Sequence, residues 1–211
     1  MGISERKERE RIQRRQEIIY AAEKVFFTKG FNSTTMDDIA SEVELSKGTL
    51  YLYFKNKEEL FKVFVNRGIS KLHELFIEFS SKQSNGLMKV KAIGEAYIKF
   101  YFEFPNYYKA LMFEEVQKVE GIEPESEDEK ILKKKMETNK ILIETIIEGM
   151  NDGSIRKDLD PAKTALILWG ESLGVLQLVT LKGDILCTEM NCTPEELISY
   201  FFEFTFKALK S

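Results

Sequence analysis

Residues 34–57 read TTMDDIASEVELSKGTLYLYFKNK. Thr35 is a good helix N-cap, and Asp37 and Asp38 fall in the first turn behind it, where a carboxylate meets the positive end of the helix dipole. Met36, Ile39, Ala40 and Val43 form the apolar stripe of a helix about two turns long. Glu44-Leu45 makes a tight turn, Ser46 is the next N-cap, and a second short helix runs from Lys47 to about Tyr53. Upstream, residues 10–29 read as a longer helix, with Ile18, Ala22, Val25 and Phe26 at helical spacing and Gly30 as its C-cap. A supporting helix followed by two short helices across a tight turn is the layout of a helix-turn-helix. Its second helix has two tasks. Leu50 and Phe54, four apart, can hold it to the first two helices. Lys47, Gly48, Thr49, Tyr51 and Tyr53 can face a major groove, and the thin end made by Ser46, Gly48 and Thr49 lets backbone come close to DNA. Free N–H groups at that end attract phosphate.

Outward from this stretch the chain reads as helix after helix. Asn56 caps a long one with Leu60, Phe64, Leu72, Leu75 and Phe79 on its buried side. Another spans about Leu87 to Phe104 and is ended by Pro105; the next runs from Asn106 to about Val119. Residues 120–129 (EGIEPESEDE) read as a loop. From about Glu129 to Met150 the stripe is Leu132, Met136, Asn139, Ile143, Ile146, Met150. Pro161 opens a helix to Leu181, with Gly183 after it, and Thr193-Pro194 with Glu196 makes a capping box for the last. The sum is about nine helices and no convincing strand, an all-α chain. Its 43% hydrophobic content supplies a real core, which sets it apart from disordered compositions. No signal peptide and no run of about 18 apolar residues is visible, so a cytoplasmic protein without a membrane span is expected. Cys187 and Cys192 are too few for a disulfide framework or a zinc site and read as ordinary thiols. Residues 1–65 carry 12 basic and 11 acidic side chains, so charge alone does not announce a nucleic-acid binder. Arg6, Lys7, Arg9, Arg11, Arg14 and Arg15 crowd the N-terminus, but Glu5, Glu8 and Glu10 offset them, and a solvated helical end is the plainer reading.

The residues of the decisive stretch resemble the TetR family of repressors. The family pattern appears as Thr34-Thr35-Met36-Asp37-Asp38-Ile39-Ala40, then Ser46-Lys47-Gly48-Thr49-Leu50-Tyr51-Leu52-Tyr53-Phe54, then Lys57-Glu58-Glu59-Leu60, with Ala21-Ala22, Phe26 and Gly30-Phe31 upstream. The match covers roughly the first 65 residues. It implies a three-helix DNA-binding domain at 1–55 and a helical effector-binding and dimerisation domain at 56–211. It also implies that Thr35, Ser46, Lys47, Gly48, Thr49, Tyr51, Tyr53 and Lys57 lie against double-stranded operator DNA. Tyr51 and Lys57 would be phosphate contacts; Thr49, Tyr53 and Lys47 are better placed for bases. Thr35 and Ser46 also serve as plain helix caps, and Tyr51 equally reads as a packed aromatic with its hydroxyl at the rim.

The C-terminal part carries no such signature and no catalytic constellation; His73 is the only histidine. No cofactor or metal site is expected, and no enzyme activity. Aromatics and methionines cluster between residues 97 and 113, a density that reads first as core. Asn139 in mid-stripe and Trp169 beside Glu171 and Ser172 add the polar groups of a small-molecule cavity. The expected effector site is therefore Tyr97, Tyr101, Met112, Met136, Asn139 and Trp169. The helix 161–181 is apolar on two faces, Leu166, Trp169, Leu173 and Leu176 on one and Ile167, Gly170, Gly174, Leu178 and Leu181 on the other. With residues 195–209 it is expected to form a homodimer interface, packing within one subunit being the alternative. The resulting expectation is a repressor that binds a palindromic operator as a homodimer and is released by a small-molecule effector. The rival is a helical small-molecule carrier or enzyme with a three-helix subdomain that binds no DNA.

Overall fold

The computed structural model describes residues 3–115 and 126–211. Among the described residues there are nine helices and no strand: α1 (Ile3–Lys29), α2 (Met36–Glu42), α3 (Lys47–Tyr51), α4 (Lys57–Ser80), α5 (Gly86–Glu103), α6 (Pro105–Glu115), α7 (Glu127–Asp152), α8 (Pro161–Met190) and α9 (Pro194–Leu209). The chain is all-α. The expected loop at 120–129 and the end of the helix expected to reach Val119 lie largely outside the described residues. Contacts divide the chain into two compact units, 1–69 with 106–133 and 70–105 with 134–211. Helices α4 and α7 contribute to both, so this division by contact follows different lines from the division by role at residue 55.

In the first unit the inward face of α1 is Ile18, Ile19, Ala22, Val25 and Phe26, all buried. Gly30, at φ +77, ends the helix as a left-handed cap, its N–H donating to Phe26 O at 2.9 Å. Phe26, Phe31, Phe61, Phe64, Tyr107 and Phe113 then form a chain of ring contacts 4.5–5.8 Å between centroids, apart from the 6.1 Å pair Phe61–Phe64. Such pairs add to area burial because ring edges meet ring faces. Arg67 is held between Glu23 at 2.7 Å and Gln16, which joins α4 to α1 through a half-buried polar link. Burial raises the Glu23 carboxyl above its ordinary value, and the Arg67 guanidinium opposes that shift.

The second unit is centred on Val90, Ile146, Ile155, Ala165 and Leu209, with Leu87, Leu142, Ile143, Met150, Leu159, Leu168 and Phe206 packed on them. Helices α5 and α7 meet at glycine: a Cβ on Gly86 would fall 2.1 Å from the backbone N of Gly149. Asp152 and Ser154 then accept the first free N–H groups of α5, from Gly86 at 2.7 Å and Leu87 at 3.0 Å. The segment after α7 is pinned to the end of α9 by an isolated bridge between Ile155 and Lys210.

Three sequence expectations are corrected here. The buried stripe of α7 is Ile131, Thr138, Thr145, Ile146 and Gly149, not the stripe through Leu132, Met136 and Asn139. Two threonines sit on the core side because each hydroxyl donates back to its own helix, Thr138 to Lys134 O at 2.8 Å and Thr145 to Ile141 O at 2.7 Å. Helix α8 does not stop before Gly183 but runs on to Met190, and the left-handed residue that ends it is Asn191 at φ 51. Finally, Pro161–Gly183 is long and apolar enough to cross a membrane by length and composition, since isolated Gly, Ser, Gln and Glu residues interrupt the run without outweighing it. Most of that segment is exposed in the single chain.

Candidate nucleic-acid interface

The site is built by two N-caps and one turn. Thr35 caps α2 in a reciprocal box: its hydroxyl accepts from Asp38 N at 3.2 Å, and Asp38 accepts from Thr35 N at 3.0 Å. Lys29 also donates to Asp38 at 2.7 Å, and that bond, followed by those from Thr35, brings the carboxyl down to about 2. The turn after α2 closes with Leu45 N donating to Ala40 O at 2.9 Å. Glu44 adopts φ 56 there, in the left-handed region that glycine occupies most freely. Ser46 then caps α3, accepting from Thr49 N at 3.1 Å, and the two hydroxyls of Ser46 and Thr49 lie 2.8 Å apart.

Leu50 and Phe54 are fully buried and fix the inward side of α3. The outward side is then determined by helix geometry. Lys47, exposed at the first turn of α3, pairs with both carboxylate oxygens of Asp37, at 2.8 and 3.0 Å, which raises the lysine above its ordinary value. A Cβ added to Gly48 would meet only Ser46 Oγ, at 3.9 Å, so no packing in the fold requires glycine at this position. Tyr51 is exposed and Tyr53 half-buried. Arg11 is raised above its ordinary value chiefly by its hydrogen bonds to Glu8. Arg15 stacks over the Phe54 ring at 4.7 Å.

Lys57 behaves differently from the other expected DNA residues. Its Nζ donates to Phe31 O at 3.0 Å, Thr34 O at 2.9 Å and Asn32 O at 3.3 Å, and it lies 4.6 Å from the Phe31 ring centroid. An ammonium has three donors. All three are engaged by the α1–α2 connection.

Two features go beyond the sequence reading. Helix α1 begins at Ile3 rather than near residue 10, and residues 4–14 are exposed throughout, in line with the solvated helical end expected there. Its i,i+4 and i,i+3 pairs Arg6–Glu10, Arg11–Glu8 and Arg14–Glu17 could have signalled it. Leu52, two residues beyond Leu50, is 84% exposed.

The expected effector residues are distributed over both units. Tyr97 is buried on α5, and Tyr101 brings its hydroxyl to 3.0 Å from that of Thr180 on α8. Trp169 is half-buried on α8. Met112 belongs to the first unit. Met136, 63% exposed, and Asn139 face outward because the α7 stripe is rotated as described, so the buried amide expected at Asn139 is not there.

A long supporting helix, a capped helix, a tight turn and a second capped helix with a polar outer side make up a helix-turn-helix, an arrangement that DNA-binding proteins use. Residues 18–64 match the family model of bacterial regulatory proteins of the tetR family. The chain is similar to the uncharacterized HTH-type transcriptional regulator YerO of Bacillus subtilis, 25% identical over 197 residues, 90% of this chain and 63% of that protein. It is similar as well to IcaR of Staphylococcus epidermidis, the biofilm operon icaADBC HTH-type negative transcriptional regulator, 28% identical over 94 residues, 44% of this chain and 49% of IcaR. The chain thus spans less than two thirds of the length of these curated relatives. Among solved structures, the transcriptional regulator FadR from Bacillus subtilis in complex with stearoyl-CoA shares the fold, with a TM-score of 0.70, 20% identity, and coverage of 92% of this chain and 98% of FadR.

Proposed function

We propose that the chain is a transcriptional repressor that binds a palindromic duplex as a homodimer and leaves it when a small molecule binds the helical region beyond residue 55. The observation that carries the DNA reading is the outer side of α3. Lys47, Gly48, Thr49 and Tyr51 lie on α3 and Tyr53 just beyond its C-cap, with the inner side sealed by Leu50 and Phe54. Thr35 and Ser46 complete this surface as caps, and Lys57 supports it from behind. The family-model match over residues 18–64 and the likeness to a negative regulator support repression. Selection from random duplex DNA with the full chain should enrich an inverted repeat; recovery of no preferred sequence would remove the proposal.

The dimer face we assign to α8 and α9. Leu166, Ile167, Leu178, Leu181 and Ile185 on α8, with Tyr200 and Phe204 on α9, are large apolar side chains left exposed in the single chain. Gly170 and Gly174 lie among them and face open space. A second copy covers such a patch with the same patch, which needs no other partner. A self-associating face also accounts for the apolar composition of α8 without a membrane. For the effector we propose a site in the second unit near Tyr97, Tyr101 and Trp169, where aromatic walls meet hydroxyl groups. FadR's bound stearoyl-CoA makes long-chain acyl compounds the first to try. Trp169 is the sole tryptophan, so its emission should change when such a compound binds, and an unchanged spectrum at saturating ligand would place the site elsewhere.

A further inference from the structure

We propose that Leu52 sets base preference by packing on the C5-methyl group of a thymine in the major groove, and that Gly48 is the gap that lets it approach. The inference rests on the DNA-binding reading above and names what one residue recognises. Leu50 and Phe54, 0% and 1% exposed, define the inward side of this turn. Leu52 lies two residues from each and therefore points the opposite way, one helical turn beyond Gly48. It is the most exposed large hydrophobic side chain among the described residues. Its backbone gives no reason for a leucine: φ −70 and ψ −21 suit any residue, and its N–H makes an ordinary bond to Thr49 O at 3.2 Å. Gly48 is equally unexplained by the fold, since an alanine would fit the space and be a better helix former.

The outermost strip, Gly48 on α3 and Leu52 at its C-cap, is thus a hollow followed by an exposed aliphatic group, flanked by Lys47, Thr49, Tyr51 and Tyr53. The flanks suit phosphates and hydrogen-bonding base edges. The strip itself suits an apolar partner, and the thymine methyl is the one apolar group the major groove displays.

The test uses the full chain and the duplex recovered by selection. Each dT is replaced in turn by dU, which removes the methyl and nothing else. For the wild type, one position in each half-site should cost roughly fourfold in Kd, the scale of one buried methyl group. Leu52→Ala should bind the dT duplex weaker by a similar factor and lose nothing further on dU at that position. Since Leu52 touches little in the fold, this variant should keep the wild-type Tm. Gly48→Ala should hold or raise its Tm, and it should bind weaker on both duplexes. Equal loss for Leu52→Ala on dT and dU duplexes, or no sensitive dT anywhere, would overturn the inference while leaving DNA binding intact. A chain that selects no duplex at all would overturn the regulator reading, and this inference with it.

Discussion

Lys57 shows how a residue can sit in a signature for a reason other than the one the signature suggests. Resemblance implies a phosphate contact, yet its ammonium is spent on three carbonyls of the connection that leads into α2. We propose that it holds the α1–α2 connection, and through it Thr35, in place for DNA. Lys57→Met should therefore lower Tm by about 6 °C, the scale of about 2 kcal/mol for charge-assisted bonds in a chain of this size. It should weaken DNA binding about tenfold while leaving the slope of log K against log salt unchanged. Loss of a true phosphate contact instead lowers that slope by about 0.9. A reduced slope with an unchanged Tm would restore the phosphate role. The caps at Thr35, Ser46 and Thr193 were legible in the sequence because capping is decided within four residues. The partners of Lys57 lie 23 to 26 residues away and were not. The exposure of Leu52 was within reach, since any residue two positions from two core residues on a helix faces outward.

Among the elements, helices announced themselves best where apolar spacing was strong and worst where polar residues carried the structure. Helix α1 starts at Ile3 rather than near residue 10 because its first turns bury nothing, and apolar periodicity gave no sign of them. The stripe of α7 was rotated because buried Thr138 and Thr145 satisfy their hydroxyls internally and pass for surface residues in a hydrophobic count. On α8 the two-faced pattern was readable, but Leu166 belongs to the outer face, 63% exposed, with Gly170 and Gly174. That outer face leads to a clean variant. A side chain at Gly174 meets nothing within 4 Å in the single chain, so Gly174→Glu should leave helicity by circular dichroism as it is. Two such carboxylates facing each other across a two-fold interface, without partners, should raise the dimer Kd by at least about 100-fold. Sedimentation should find a wild-type dimer and a variant monomer at micromolar concentration. A wild-type monomer, or a variant that dimerises as well as the wild type, would contradict the assignment of this face.

At the scale of the whole molecule, the shortness of α3 calls for two copies. Helix α3 has five residues, about 7.5 Å of helix, which faces roughly two base-pair steps. One such helix reads too little sequence to find an operator. Two, related by a two-fold axis and about 34 Å apart, read two half-sites on one face of the duplex. An effector can release such a dimer only by favouring an arrangement in which this spacing is lost, because a ligand shifts an equilibrium only by its differential affinity for the two states. The three-helix module was legible at this scale because its constraints are local and its residue pattern is tight. A small-molecule site is harder to read, because a cavity is made by side chains far apart in sequence, and a stripe misplaced by one position, as on α7, moves Met136 and Asn139 to the surface. The central claim is sequence-specific DNA binding. Its most direct test compares the affinity of the full chain for its selected inverted repeat with that for a scrambled duplex of the same composition, across a series of salt concentrations. The repeat should bind at least about 1,000-fold tighter near physiological salt, with both affinities falling steeply as salt rises. Equal affinity for the two duplexes at every salt concentration would contradict the claim.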